Sequence, residues 1–273
     1  MSNISISIVL HNTYKGELNE VISSCVNSSI PVDIFLIDNS PNDKLSCFKE
    51  DARVTYLKSD NNGFGAGHNL AINKHKLLEK NDYHLVMNPD IKFSSEIINN
   101  IADYMNNNQD IGVLMPRIVN RDGSIQYSRR LLPSPLDIVI KRFFPKASYN
   151  SSYEMTNMEP NDPVEIVALC GCFLFFRTEV LKSVGLFDDR YFMYFEDYDL
   201  CRRISEKYKT TYFPYGEVIH GDHGEHRKNK KLFFYAIRAA LRYFNKWGYI
   251  DKSRNKINIK TLQQVKKSSK QIK

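Results

Sequence analysis

Within the first ninety residues four short apolar runs each stop at a polar cluster, and this repetition restricts the fold more than any other feature of the chain. Ile4 to Leu10 alternates, becomes continuously apolar, and meets His11-Asn12-Thr13; Val32 to Ile37 ends in Asp38-Asn39-Ser40-Pro41. Val54 to Leu57 leads to Asn61-Asn62-Gly63, and Tyr83 to Met87 is closed by Asn88-Pro89-Asp90. Between the first two runs Leu18, Val21, Ile22 and Cys25 recur at helical spacing, and a second helix is expected from about Asn69 to Glu79. Strands alternating with helices predict an α/β chain with a mainly parallel sheet covered on both faces. Ligands of such sheets bind outside the carboxyl ends of the strands. Asn12, Asp38, Asn62, Asn88 and Asp90 are therefore expected along one edge, as one composite site.

Beyond Asp90 the pattern loosens. A helix is expected over Ile97 to Met105, a strand over Gly112 to Pro116, and a hairpin or loop from Ile118 to Arg129. Residues 132–163 form a Pro-, Ser- and Asn-rich excursion with one short helix, Pro135 to Phe144. Regular structure resumes with Ile166 to Leu169 and Cys172 to Phe176, then helices over Glu179 to Val184, Asp197 to Tyr208 and Leu232 to Tyr249.

At 273 residues, 42% hydrophobic and 25% charged, the chain can bury a large core, which excludes a disordered or coiled-coil protein. No run of 18 apolar residues occurs, and the start MSNISISIVL carries neither a basic leader nor a small-residue cleavage site. Five irregularly spaced cysteines make no disulfide framework. A reducing, cytoplasmic location is expected. The net charge of +7 is unevenly placed: His226 to Lys273 holds 15 Lys or Arg against one acid, whereas the rest of the chain is mildly acidic. A basic end of this kind is drawn to anionic membranes or nucleic acid.

The residues suited to chemistry fall in five places. Gly63, Gly65 and Gly67 in Asn61-to-Asn69 precede a helix, where backbone can approach a nucleotide or sugar closely, although the spacing is neither GxGxxG nor a Walker loop. Asp38 could cap the next segment or accept a hydrogen bond from a pyrimidine imide. Asp90 could supply the one carboxylate that Mg²⁺ or Mn²⁺ needs when substrate phosphates and water complete its shell. Glu196, Asp197 and Asp199 stand among Tyr and Phe at a helix start, more carboxylates than an N-cap requires, and suit a general base. His220 leads the cluster His220, Asp222, His223, Glu225, His226 and is best placed to point back into the site.

In order, the segments HNTYKG, FLIDNS, NNGFGAGHN, LVMNPD, GCFLFFRTEVLKSVGLFDDRYFMYFEDYDLCRRI and the final Ile219-His220 resemble the inverting GT-A glycosyltransferases of family 2, especially the rhamnosyltransferase-like branch that builds O-antigen, capsule and other bacterial surface polysaccharides. The resemblance runs from about Ser5 to His226. It implies a GT-A domain over residues 1–226, with a nucleotide-sugar half (1–115) and an acceptor half (116–226), followed by a basic helical extension (227–273). It also implies that Asp38 recognises the pyrimidine and that Asp90 matches the last Asp of a DxD metal motif whose first Asp is replaced by Asn88. By the same resemblance Asp197 is the catalytic base, supported by Glu196 and Asp199, His220 completes the metal shell, and Asn69 has a donor-site role. The implied donor is dTDP-L-rhamnose, with UDP-hexoses next. The implied acceptor is a saccharide on undecaprenyl diphosphate, with the metal Mg²⁺ or Mn²⁺.

Two other readings are separable. A sugar-phosphate nucleotidyltransferase would need a basic residue in the glycine turn, and NNGFGAGHN has none. A nucleic-acid-binding protein would account for the basic end, but aromatic interleaving stops at Tyr249 and no recognition motif is present, so no nucleic-acid partner is expected. In the last helix Phe233, Ile237, Leu241 and Phe244 form an apolar stripe with Arg238, Arg242 and Lys246 beside it, and Trp247 and Tyr249 at its end. The stripe and the basic segment Lys252 to Lys273 are expected to give peripheral contact with an anionic membrane.

Overall fold

The computed structural model describes residues 2–145, 147–221 and 230–269. The four expected runs are strands β1 (Ile4–Leu10), β2 (Val32–Asp38), β3 (Thr55–Lys58) and β4 (Tyr83–Met87), with helices α1 (Lys15–Val26), α2 (Phe64–Lys74) and α3 (Leu77–Lys80) between them. β1 pairs in parallel with β2 and β4, and β2 with β3. Both faces of β1 are covered, so even its serines are fully buried. They are tolerated because each finds a partner: Ser5 and Ser7 hydrogen-bond His84 (2.8 Å each), and Ser7 also hydrogen-bonds His68 (2.6 Å).

The glycine segment differs from its expectation. α2 begins at Phe64, so Gly65 and Gly67 lie inside its first turns and only Gly63, at φ 112°, is in a left-handed conformation. A Cβ on Gly63 would come within 2.2 Å of the Phe192 carbonyl oxygen, one on Gly65 within 2.7 Å of Phe187 Cβ, and one on Gly67 within 2.7 Å of Val9. These glycines admit neighbouring protein, not a ligand.

The chain continues through β5 (Ile91–Phe93), α4 (Ile97–Asn107), β6 (Ile111–Val119), β7 (Arg129–Arg130), α5 (Pro135–Phe143) and α6 (Tyr149–Glu154). It then forms β8 (Val164–Glu165), β9 (Ala168–Leu169), β10 (Phe173–Arg177), α7 (Thr178–Val184), α8 (Glu196–Ser205) and β11 (Lys209–His220). The expected helix after Ser134 is present because Ser134 and Asp137 form a reciprocal capping box with Pro135 in the first turn. α6, by contrast, has no apolar periodicity that would have announced it.

The main sheet has the order β3-β2-β1-β4-β10-β6-β11-β5, with β8 on β11. Its first half is parallel as expected, whereas β10 runs antiparallel to β4 and β6, and β11 antiparallel to β5 and β8. The sheet is therefore mixed. Because β10 enters from the carboxyl edge, Phe173 lies opposite Met87, and the Cys170-Gly171-Cys172 turn reaches the end of β4. Pairing of His220 with Ile91 sets the end of β11 beside Asp90.

The C-terminal helices α9 (Lys230–Trp247) and α10 (Lys252–Ser269) form the expected helical extension and pack on the domain. Tyr243 and Phe244 are buried in a cluster with Phe195 and Tyr198, so Phe244 does not belong to an exposed stripe. Lys246 and Trp247 point inward to Asp199. The segment from Lys252, the later part of the expected basic helical extension, is a helix whose Val265 is fully buried. It docks largely through polar side chains on backbone: Ser268 Oγ accepts from Asn161 and Asp162 N–H (3.0 and 2.9 Å), and Asn258 brackets both backbone groups of Leu132. Such docking leaves little apolar signal in the sequence. Among the described residues no helix is long and apolar enough to cross a membrane.

Candidate active site

Three expected residues meet at one corner of the carboxyl edge. His220 Nε2 lies 3.3 Å from Asp90 Oδ1 and 3.1 Å from Asn88 Nδ2. The Gln126 side-chain amide oxygen, 2.9 Å from His220 Nδ1, accepts its proton in the tautomer whose Nε2 accepts from Asn88 Nδ2, beside Asp90. A carboxylate oxygen and an imidazole nitrogen at this separation suit a hard divalent cation that takes its remaining ligands from phosphate and water. Asn88 presents its amide nitrogen to the ring, and rotation of that amide would present the oxygen instead. Among the described residues no third His, Cys, Asp or Glu joins the pair. Asp222, His223, Glu225 and His226 lie outside the described residues, as does the 226/227 domain boundary.

The carboxylates opening α8 are arranged differently. Tyr194 and Phe195 both adopt left-handed backbone (φ 72° and 66°), a conformation costing about 1–2 kcal/mol per non-glycine residue. It persists because Phe195 is clamped by Tyr198, Tyr243 and Phe244, at ring separations of 5.8, 5.2 and 6.3 Å. The turn sends the two adjacent acids to different environments. Glu196 is buried with Oε2 unpartnered, and burial holds its carboxyl protonated well above the usual range. Asp197 is half-buried and accepts the N–H groups of Gly171 and Tyr198, 2.8 Å each. Burial, reinforced by the Cys170 sulfur, raises its pKa to about 7 against the opposing pull of those two N–H donors. Asp199 has no exposed surface and accepts from Arg203 Nε (3.0 Å), Lys246 Nζ (2.6 Å) and Trp247 Nε1 (2.8 Å). It staples α9 to α8 behind the turn.

The Cys170-Gly171-Cys172 turn joins the two groups. The Asn88 N–H donates to the Cys172 carbonyl at 3.0 Å, while the Gly171 N–H holds Asp197.

The remaining strand ends form a polar nest. The Asn12 N–H donates to Ser40 Oγ (2.8 Å), Asn42 reaches Asn12 Oδ1 (3.3 Å), and Asn61 reaches His11 (3.3 Å), with Asn62 exposed beside it. Asp38 lies beneath this nest, not in it. It has no exposed surface and accepts from the Ser40 N–H (2.9 Å), Tyr56 OH (2.5 Å) and Lys58 Nζ (3.2 Å). Those donors outweigh burial and keep its carboxyl below the usual range. The direct pyrimidine contact expected of Asp38 is closed in this conformation; the carboxylate organises the strand-end loop. Gly65 and Asn69 are likewise turned to protein: Asn69 exchanges hydrogen bonds with both backbone groups of Phe187 (2.8 and 3.2 Å) and donates to Asp189 (2.5 Å).

Sequence reasoning missed Gln126, Gly171 and two cations. A Cβ on Gly221 would stand 3.1 Å from Arg121 Nη2 and 3.4 Å from Asp90 Cβ, which places Arg121 beside the Asp90–His220 corner. Arg130 Nη1 donates to Tyr198 OH (3.0 Å), next to the candidate base. None of these carries a local pattern; only the Asp122-Gly123 turn hinted that the segment before Gln126 doubles back.

The mixed sheet thus carries a carboxylate–imidazole corner and an acidic turn on its carboxyl edge. The chain belongs to glycosyl transferase family 2, whose signature spans residues 5–185 and ends before α8. It is 33% identical over 144 residues to the N-acetylglucosaminyl-diphospho-decaprenol L-rhamnosyltransferase of Mycobacterium tuberculosis, covering 51% of this chain and 47% of that protein. The chain thus spans about half the length of the mycobacterial relatives it matches. It is 27% identical over 207 residues to rhamnosyltransferase WbbL of Escherichia coli K12, covering 70% and 74%. Among solved structures it is similar to GalNAc-T7 with UDP, GalNAc and Mn²⁺ (TM-score 0.64, 15% identity, 90% of this chain and 48% of that one). It is also similar to the mannosyltransferase PcManGT of Pyrobaculum calidifontis with GDP-Man and Mn²⁺ (TM-score 0.55, 13% identity, 94% and 74%). These likenesses support the GT-A-like fold expected from the motifs.

Proposed function

We propose that the protein transfers a sugar from a nucleoside-diphosphate donor to a hydroxyl of a lipid-linked saccharide, inverting the anomeric centre, in the synthesis of a surface polysaccharide. The observation that carries this reading is the Asp197 carboxylate, poised near neutrality and tied through Gly171 and Cys172 to the Asp90–His220 corner. The polar nest around Asn12 and Asn62 receives the nucleotide, with Asp38 and Lys58 fixing its floor. Asp90 and His220 would hold Mg²⁺ or Mn²⁺, which when bound would supply charge neutralisation for the leaving diphosphate. Arg121, paired with Glu17 at 3.1 Å, stands on that side. Asp197 takes the proton from the acceptor hydroxyl as that oxygen attacks the anomeric carbon opposite the leaving group. Glu196, neutral and buried, packs the wall beside it. One displacement needs no second carboxylic acid, because a diphosphate leaves without protonation by the protein.

The names of the relatives favour an L-rhamnosyl donor over a hexosyl one, and the mycobacterial name a saccharide on a polyprenyl diphosphate as acceptor; dTDP-L-rhamnose and an undecaprenyl-diphosphate-linked saccharide are the particular donor and acceptor proposed. The nucleotidyltransferase reading loses support because the glycine turn is packed against Phe187 and Phe192 and offers no phosphate cradle. The test is a donor panel (dTDP-rhamnose, UDP-glucose, UDP-galactose, GDP-mannose) with a lipid-linked saccharide acceptor, followed by mass spectrometry. Transfer from one donor that disappears in Asp197→Asn supports the reading. Pyrophosphate release from nucleoside triphosphate and sugar phosphate, with no glycoside formed, overturns it.

A further inference from the structure

α5 turns an unpartnered apolar face outward. Leu136, Val139, Ile140, Phe143 and Phe144 follow the i, i+3, i+4, i+7, i+8 spacing of a single helix face continued one residue past its end. Leu136, Phe143 and Phe144 are 58%, 65% and 64% exposed, while the one residue of the helix that is buried is the capping Asp137. An apolar stripe facing solvent instead of the core inverts the usual order of a soluble protein.

α9 carries a second such face beside it. The Arg142 guanidinium at the end of α5 lies 4.5 Å from the Phe233 ring of α9, and Ile138 packs on the cluster that holds Ala239, Ala240 and Tyr243. On the side of α9 away from that cluster, Phe234, Ile237 and Leu241 are exposed at helical spacing. Arg142 and Arg238 are exposed between and beside the stripes, and the eighteen residues of α9 contain no Asp or Glu.

We propose that the outward faces of α5 and α9 together are the surface by which this protein docks on the headgroup layer of an anionic lipid bilayer. Apolar side chains rimmed by arginines on helices too short and too charged to span are the composition of an in-plane membrane contact. A second copy of the chain is the poorer occupant, since like arginine rims would face each other across a two-fold interface. The surface keeps Ile237, Leu241 and Arg238 of the expected stripe and adds α5, whereas Lys246 and Trp247 are engaged by Asp199 and Phe244 is buried.

The surface adjoins the candidate active site from both helices. Tyr235 of α9 stacks on Phe192 at 4.2 Å, and Phe192 leads into the turn that aims Asp197. Lys141 of α5 pairs with Glu154, which pairs with Arg130, and Arg130 donates to the Tyr198 hydroxyl beside Asp197. Docking by α5 and α9 therefore brings the acceptor side of the site to the lipid surface. The inference rests on the transferase reading for its use, not for its test: vesicle binding is measured without donor or acceptor, so the two can fail separately.

The experiment is co-sedimentation of the full chain with phosphatidylcholine vesicles and with vesicles containing phosphatidylglycerol, at low and high salt. Wild type is expected to bind the anionic vesicles, more weakly at high salt. The triple variant Leu136→Ser/Phe143→Ser/Phe144→Ser is expected to lose at least about tenfold in binding. Arg142→Glu/Arg238→Glu is expected to lose about fivefold or more per arginine on anionic vesicles alone. All substituted side chains are exposed, so unchanged circular dichroism and melting confirm folding. Absence of wild-type binding at low salt overturns the proposal, as does loss through Lys266→Glu/Lys267→Glu on α10 with the α5 variant unaffected. A lipid-free dimer that the triple variant converts to monomer assigns the surface to a second copy and overturns it too.

Discussion

The Asp90–His220 corner and the Glu196–Asp197 turn face the same edge but are held by different means. The corner is set by sheet register: Asp90 follows β4, and His220 is delivered by the antiparallel pairing of β11 with β5. The turn is set by two left-handed aromatic residues that would relax without the packing supplied by α9. Register is a cooperative property of a buried sheet, whereas a strained turn is only as durable as its clamp. Damage to the C-terminal helices should therefore reach the base while leaving the metal corner in place.

The largest expected effect separates the two regions chemically. Asp197→Asn should lower transfer by about 10²- to 10⁴-fold while donor affinity, set by the strand ends and metal corner, stays within twofold in calorimetry. Turnover close to wild type would remove Asp197 as base. The same substitution should raise thermal stability at pH 8, because the folded state holds the Asp197 proton more tightly than the unfolded chain does. Its pKa is raised from 3.8 to about 7, so ionisation withdraws stability as pH climbs through that window.

Next comes the clamp. Asp199→Ala leaves Lys246 and Arg203 without their buried counter-charge, and a loss of about 3–5 kcal/mol in urea unfolding is expected. At permissive temperature this variant should lose transfer yet keep Mn²⁺ binding; equal loss of both would show that the regions are not independently held.

The corner has its own probe. Gln126→Leu removes the acceptor that fixes the His220 tautomer and should weaken Mn²⁺ affinity by about 10- to 100-fold, with Asp197-dependent pH behaviour unchanged. Titration calorimetry with Mn²⁺ and nucleoside diphosphate would measure it.

The smallest effects are in pH. The kcat/KM profile should rise with an apparent pKa near 7 as Asp197 loses its proton. Stability should fall on the acid side for a separate reason. His68 and His84 are buried and neutral, with burial pulling both below 6.5, His84 to about 3. Depressed bases stabilise the fold above their unfolded pKa and cost stability as pH falls below about 6.5. Because protonation of Asp197 acts in the opposite direction over the same window, the check is made in Asp197→Asn, where a melting temperature independent of pH between 7 and 5 would argue against this.

The legible part of the molecule was the part written in local patterns. The four strand ends, the short helix after Ser134 and the acidic start of α8 stand where the residues suggested, and Asp90 lies beside His220. The three glycines were expected to let a nucleotide or sugar approach, but what approaches them is Phe192, Phe187 and Val9. Asp38 and Asn69 carried the right polarity for a binding edge, and the structure spends it on loop and segment anchoring.

Periodicity and chain-local chemistry by themselves determined the elements, the parallel half of the sheet and the cluster of acids, because each depends on side chains within a few residues of one another. The tertiary structure alone decided that Gln126 orients His220 across 94 residues and that Asn69 grips Phe187 across 118. It also decided that Gly171 holds the candidate base and that the charged end folds back as α10. Those contacts are hydrogen bonds between single groups, often to backbone. They have no period and no composition, so they exist only once the sheet has brought the distant segments together.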